Sequence, residues 1–177
     1  MKSGHRGMLF AVALALLPGP AAAAQGLINE RTLSLDVALE LASAAMEACR
    51  KHGSQVTITV LDHAGRTKVV LRGDGSNPHS VEHSLRKAYT ALTYRMPSGE
   101  YGKRAAGQFP NSFGVLSLPN ITTAAGGLPV RAGDTVVGAI GISGTPGARG
   151  AGSGGGGAAD EACAQGGLDR IAKWLGG

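Results

Sequence analysis

Apolar side chains recur every three or four residues in two long stretches of the chain, which is the spacing of one face of an α-helix. The first stretch follows Ser34, a residue type that caps helix N-termini. Its apolar stripe consists of Leu35, Leu39, Ala42, Met46 and Cys49. The second stretch follows Asn77 and Pro78, which predict a cap and a first helical residue. Its stripe consists of Val81, Leu85, Ala88 and Leu92. Two further helices are predicted over residues 98–106 and 158–175.

Other segments have the composition of β-strands. Residues 56–61 and 67–71 are β-branched and flank a turn at residues 62–65, which predicts a β-hairpin. Residues 109–119 are predicted to form a loop whose apolar side chains are buried. Three more extended segments follow at residues 121–124, 128–131 and 135–143. Because strands follow one another through short connections, we expect an antiparallel sheet covered by helices, an α/β fold of the α+β type.

The first 24 residues have the pattern of a secretory signal peptide. Lys2 and Arg6 give a basic start, residues 8–17 are an unbroken apolar run, and residues 21–24 are the alanines of a cleavage site. The apolar run is shorter than the roughly 20 residues that cross a bilayer. We therefore expect residues 1–24 to be removed and residues 25–177 to form one periplasmic or secreted domain without a membrane span.

The mature chain carries little net charge. Removing residues 1–24 leaves 15 basic and 12 acidic residues, a formal charge of +3, and the basic residues do not form a run. Aromatic residues make up only 4% of the sequence, so a surface for stacking bases is not expected. These features predict no nucleic-acid partner.

Cys49 and Cys163 can be read in two ways. Each lies on a predicted helix, and Cys49 belongs to an apolar stripe, which favours two buried thiols. Because an exported chain folds in an oxidising compartment, a disulfide is the alternative. The sequence has no Cys-x-x-Cys-His motif, so covalent attachment of haem is not predicted.

His79 and His83 are the candidate ligand residues of the second helix. They are four residues apart and therefore share one helix face, which Arg86 and Thr90 continue. This face is expected to point away from the core. Imidazole and thiolate both bind haem iron, so His79 and His83 are candidate haem or metal ligands and Cys163 is a third cofactor-binding candidate. The alternative is a solvated helix face without a ligand.

Two other motifs are interpreted as coincidences. Gly152-x-Gly154-x-x-Gly157 has the spacing of a dinucleotide-binding loop, but no parallel strand or acidic residue follows its helix as that fold requires. Ser84-x-x-Lys87 has the spacing found in penicillin-binding enzymes, but the accompanying Lys-Thr-Gly is missing.

Five stretches of the mature chain resemble the GlcG/HbpS family. They are TLSLDVALELASAAMEACRKHG, VTITVLDHAGRTKVVLRGDG, PHSVEHSLRKAYTALTYRMPS, GGLPVRAGDTVVGAIGISG and DEACAQGGLDRI. The resemblance implies a profilin-like or PAS-like domain with about five antiparallel strands flanked by helices. It also implies haem or iron binding, assembly into a homo-oligomer and a sensor protein as partner. The glycine-rich residues 145–159 depart from the family, in which this linker is short.

These features favour an exported protein that binds haem, iron or a related small molecule. A haem-degrading enzyme is one alternative, although the sequence shows no flavin or nicotinamide site that would supply a reductant. An oligomeric accessory module without a cofactor is the other. We therefore expect a binding protein rather than an enzyme.

Overall fold

The computed structural model describes residues 26–146 and 156–176 of the chain. The chain divides into one unit of residues 1–30 and a second of residues 31–177, and all elements named below belong to the second. The predicted signal peptide and the glycine-rich residues 147–155 lie outside the described residues.

The centre of the fold is an antiparallel sheet. Its strands are β1 (Thr57–Asp62), β2 (Thr67–Arg72), β3 (Gly127–Ala132) and β4 (Thr135–Ser143). They lie in the order β2-β1-β4-β3, and every neighbouring pair is antiparallel. The predicted antiparallel α+β arrangement is therefore confirmed.

The sheet has four strands in the part of the chain that the structure describes, so the prediction of about five is wrong. The predicted strand at residues 121–124 does not form because side chains take its backbone hydrogen bonds. Thr122 N donates to Thr90 Oγ1 at 2.9 Å, and Ser98 Oγ donates to Ala124 O at 2.8 Å. With these groups satisfied by neighbouring helices, no partner strand is needed.

Five α-helices surround the sheet within the described residues. They are α1 (Leu35–Lys51), α2 (Ser80–Tyr94), α3 (Ser98–Gly107), α4 (Phe113–Leu116) and α5 (Gly157–Ile171), and a 3₁₀ turn (Ala172–Trp174) follows α5. Ser34 caps α1 as predicted, since its Oγ accepts a hydrogen bond from Val37 N. Asn77 does not cap α2, because the helix begins at Ser80 and its N-cap residue is His79.

The two faces of the sheet pack on different helices, because successive side chains of a strand point to opposite faces. Ile140 and Ile142 of β4 belong to the main core, which α1 and α5 complete. Ala139 packs with Ala88 and Ala91 of α2 on the opposite face. The helices therefore cover both faces of the sheet.

The buried stripe of α1 differs from the predicted one. Leu35 and Leu39 are exposed, whereas Ala38, Leu41 and Ala45 are buried. Small residues are required on this side because α1 runs close to α5. A Cβ at Gly167 of α5 would lie only 3.0 Å from the Ala45 Cβ.

The buried face of α2 is more polar than predicted, although Ala88 of the predicted stripe is buried and Leu85 and Leu92 are half-buried. Val81 is exposed, and the buried residues are Ser80, Ser84, Lys87, Ala88, Thr90 and Ala91. A Cβ at Gly141 of β4 would lie 2.5 Å from Ala88 N and closer still to Ser84 O, so the helix backbone approaches the strand closely. Only small side chains fit in that space. Ser84 Oγ bonds Thr59 Oγ1 at 2.8 Å, which satisfies both buried hydroxyls.

The apolar side chains of residues 109–119 are not buried as predicted. Phe109, Phe113 and Leu118 are exposed by 67%, 65% and 54%. The segment contains the single-turn helix α4, which includes Phe113, while Phe109 and Leu118 lie before and after it.

The two cysteines form a disulfide, so the interpretation as two buried thiols is wrong. Cys49 of α1 and Cys163 of α5 have Cα atoms 5.3 Å apart, and both residues are buried. The bond joins the two helices on the same face of the sheet. Among the described residues, no helix has the length and apolar character of a membrane span.

Candidate functional site

The two histidines of α2 lie next to each other at the beginning of the helix, as the spacing predicts. Their ring centroids are 6.3 Å apart. His79 is exposed at the N-cap position, whereas His83 is half-buried one turn later. The prediction that this whole face points away from the core is wrong, because Thr90 at its far end is fully buried.

Ser143 at the end of β4 holds the His83 ring. Its Oγ lies 3.2 Å from His83 Nδ1. The strand register places Ser143 beside Thr57 of β1, on the side of the sheet that α2 covers. In the tautomer with a hydrogen on Nδ1, this nitrogen donates to Ser143 and Nε2 keeps its lone pair.

The environment keeps His83 neutral. Burial and, after it, the positive charge of Lys87 lower the pKa of His83 to about 4, with smaller contributions from His79 and Arg86. The Glu82 carboxylate opposes this shift but forms an exposed ion pair with Arg86 at 2.6 Å. At neutral pH the ring is therefore an uncharged imidazole, the form that ligates metals.

A buried ion pair lies one turn further along α2. Lys87 Nζ and Asp160 Oδ2 are 2.6 Å apart, and the two side chains are 4% and 3% exposed. Burial raises the pKa of Asp160, while the Lys87 charge and hydrogen bonds from Thr145 act in the opposite direction. The pair fixes the first turn of α5 against α2.

Thr145 precedes the glycine-rich residues 147–155 and bonds both Asp160 of this ion pair and Gly156, which follows them. Its backbone N donates to Asp160 Oδ1 at 3.2 Å. Its Oγ1 lies 2.8 Å from Asp160 Oδ1 and 2.5 Å from Gly156 O, and its one hydrogen can serve either acceptor. Residues on both sides of the segment are thereby held beside α2.

The Ser84-x-x-Lys87 motif does not form a nucleophile and base. Ser84 bonds Thr59, and Lys87 is paired with Asp160. The interpretation of this motif as a coincidence agrees with these partners.

Cys163 is not available as a thiolate ligand, so its prediction as a cofactor-binding residue is wrong. Its sulfur is bonded to Cys49, and the residue is 2% exposed. A disulfide sulfur is not a thiolate, the form of cysteine that ligates haem iron. Elsewhere in the described residues, no group of three or more His, Cys, Asp or Glu side chains is arranged around a metal position.

A broad cleft lies between α3 and the start of α5. This α3–α5 cleft has a volume of about 910 Å³ and is lined by Gly99, Lys103, Phe109, Ala125 and Glu161, among others. Glu161 Oε1 accepts hydrogen bonds from Gly99 N and Gly126 N at 3.3 Å each, which ties α5 to α3. None of the described residues that line it is a histidine.

Sequence patterns did not reveal Ser143 and Lys87 as neighbours of His83, or Asp160 and Thr145 as members of the adjoining buried polar cluster. Lys87 and Asp160 are separated by 73 residues, and no local pattern joins residues so far apart. The available signal was the acidic pair Asp160 and Glu161 at the start of the last helix, together with a lysine on the second.

Fold and site define an α+β domain whose antiparallel sheet lies between helices, with a neutral histidine of α2 beside the end of β4. The chain belongs to the family described as haem degrading protein HbpS-like, whose model matches residues 33–169. The GlcG/HbpS resemblance predicted from the sequence is thereby confirmed.

Individual relatives agree with this assignment. A double mutant of Streptomyces reticuli HbpS is 36% identical, with a TM-score of 0.72, covering 86% of this chain and 97% of that one. Protein GlcG of Escherichia coli K12 is 29% identical over 63% of this chain and 81% of its own length. A complex of PduOC with haem is 22% identical, with a TM-score of 0.66 over 79% of this chain and 95% of that one, and shows a similar fold. The finer description as profilin-like or PAS-like stays a prediction.

Proposed function

We propose that this protein binds haem and that His83 supplies an axial nitrogen to the iron. The observation that carries the proposal is the neutral His83 ring, whose Nδ1 lies 3.2 Å from Ser143 Oγ. In a metal-ligating histidine, the second ring nitrogen typically donates a hydrogen bond to a neighbouring oxygen. This hydrogen bond fixes the tautomer and the ring orientation. Ser143 provides that oxygen.

Haem suits a site with few protein ligands. The porphyrin supplies four nitrogen ligands, so one imidazole completes a five-coordinate iron. When bound, haem would supply a redox-active iron. Membership of a family described by haem degradation supports haem as the ligand. PduOC, a protein of similar fold, forms a complex with haem, which agrees with this choice.

His79 has a different role in the proposal. Both imidazoles project from the beginning of one helix, with ring centroids 6.3 Å apart, so they lie on the same side of any haem bound there. They cannot take the two opposite axial positions of one iron. We therefore assign His79 a place beside the haem, without a bond to the iron.

The test is a haem titration followed by the Soret band. We expect His83→Ala to shift the band and weaken binding by at least about tenfold, and Ser143→Ala to weaken it less. His52→Ala is the matched control, because His52 is an exposed histidine at the end of α1. An unchanged Soret band and affinity in His83→Ala would refute the assignment.

We also propose that the protein is exported. The Cys49–Cys163 disulfide supports this, because structural disulfides persist mainly in oxidising compartments. The expected observation is a mature N-terminus near Gln25, read by N-terminal sequencing of the periplasmic or secreted protein. A chain that keeps residues 1–17 would contradict it.

A homo-oligomer is the third part of the proposal. Phe109, Phe113 and Leu118 are exposed large apolar side chains in one short segment, and such groups of side chains mark protein contacts. We expect light scattering to give a multiple of the monomer mass, and Phe113→Ser to reduce it. Val70→Ser, at an exposed apolar residue of the edge strand β2, is the control. A monomer mass at micromolar concentration would contradict the proposal.

A further inference from the structure

A second cleft lies where the end of α2 meets α3 and the segment after it. This tyrosine cleft has a volume of about 660 Å³, within the range of roughly 300–1,000 Å³ typical of small-molecule sites. Its lining includes Tyr94, Tyr101, Arg104, Gln108, Asn111 and Val115. It contains neither His79 nor His83, so it is a different place from the proposed haem site.

The walls of the tyrosine cleft are held in place from within the fold. The rings of Tyr94 and Tyr101 stack with centroids 3.8 Å apart and an interplanar angle of 16°. Ser112 Oγ donates to Ala105 O at 2.7 Å, which fixes the segment after α3 against the helix. An aromatic wall and a polar wall are therefore positioned before any ligand arrives.

The charge of the cleft favours an anion. Arg104 is the one charged residue among its lining residues. It is exposed and forms no ion pair with any residue in the described ranges 26–146 and 156–176. Gln108 and Asn111 add carboxamide N–H donors beside the guanidinium, and no carboxylate lines the cleft.

These groups define the chemistry of a ligand. A guanidinium binds a carboxylate through two parallel hydrogen bonds, which fixes its orientation as well as its position. The half-buried ring of Tyr94, backed by the buried Tyr101, and Val115 offer an apolar surface against which a planar ring can lie. We propose that the tyrosine cleft binds a small aromatic carboxylate, with Arg104 on the carboxylate and the ring against the tyrosine wall.

Sodium benzoate is the probe, titrated into the mature protein by calorimetry. We expect saturable binding that weakens at least tenfold in Arg104→Gln and less in Arg104→Lys, which keeps the charge but loses the planar fork. Benzamide, which has the same ring without the charge, should bind at least tenfold more weakly. Cyclohexanecarboxylate should bind more weakly than benzoate because it lacks the flat ring.

Lys103→Gln is the matched control. Lys103 is the neighbouring basic residue on α3, is also exposed, and lines the α3–α5 cleft instead. We expect its benzoate affinity to equal that of the wild type. Equal losses of benzoate affinity in Lys103→Gln and Arg104→Gln would show that benzoate is attracted by the general positive charge of α3. That result would overturn the proposal. Absence of benzoate binding, or benzamide binding as tight as benzoate, would also overturn it.

A haem titration of Arg104→Gln separates this inference from the proposed function. We expect an unchanged Soret band and affinity, because the tyrosine cleft shares no residue with the histidine pair. A tenfold loss of haem affinity in this variant would show that Arg104 serves the haem site and would overturn the assignment of a separate carboxylate site.

Discussion

Replacing Lys87 by methionine should destabilise the fold strongly. Lys87 and Asp160 are 3% and 2% exposed, and their charged atoms are 2.6 Å apart. The surroundings are tightly packed, since a Cβ at Gly126 would lie 2.8 Å from both Lys87 Nζ and Asp160 Cβ. Methionine fills similar space but leaves the Asp160 carboxylate with only its Thr145 donors.

The expected magnitude follows from the cost of an uncompensated buried charge. Removing one partner of a buried ion pair typically costs about 3–5 kcal/mol of unfolding free energy. For a domain of this size each kcal/mol lowers the melting temperature by about 2–4 °C, so we expect a fall of about 6–20 °C. A double variant, Lys87→Met with Asp160→Leu, removes both charges and should regain most of the loss.

The assay is thermal unfolding followed by circular dichroism, with Lys51→Met as matched control. Lys51 pairs with Glu47 at 3.1 Å, but their side chains are 70% and 55% exposed, so this change should leave the melting temperature nearly unchanged. If Lys87→Met and Lys51→Met melt at the same temperature, the buried Lys87–Asp160 pair does not contribute the free energy of unfolding that we assign to it.

Three further predictions concern the histidine, the sheet and the disulfide. Because the pKa of His83 is lowered to about 4, from an ordinary value of 6.5, the unfolded chain takes up a proton at this residue before the folded chain does. Stability should therefore fall as the pH decreases from 6.5 to 4, and urea unfolding should show a smaller fall in His83→Gln; an equal fall would contradict the assignment. Gly141→Ala places a Cβ against the backbone of α2 and should cost several kcal/mol, whereas Gly107→Ala meets no atom within 4 Å and should leave the melting temperature within about 2 °C. Reduction of the Cys49–Cys163 bond, which closes a separation of 114 residues, should cost about 3–5 kcal/mol, measured as the melting temperature with and without dithiothreitol; equal values would refute it.

The local elements could be predicted because their signals are local. The hairpin of β1 and β2, the cap at Ser34 and the helix after residue 97 formed where the sequence indicated. The pairing of His79 with His83 followed from helix geometry alone. Family membership was also visible, because it depends on ordered stretches of sequence.

The burial pattern could not be predicted in the same way. Apolar periodicity pointed to Val81 as a buried residue of α2, yet Ser80, Ser84 and Lys87 are buried and Val81 is exposed. The reason is the close approach of the α2 backbone to the glycines of β3 and β4, which leaves no room for a large side chain directly between the helix and these glycines. Hydroxyl pairs such as Ser84 with Thr59 then replace apolar contacts.

The sequence by itself determined the type of each main element, the adjacent histidines and the family. Only the tertiary structure decided that Cys49 meets Cys163, that Lys87 meets Asp160, and that Ser143 stands beside His83. These contacts join residues 60 to 114 positions apart. Helix and strand periodicity reports which neighbours share a face over a few residues, whereas long-range partners depend on how the faces of whole elements pack together.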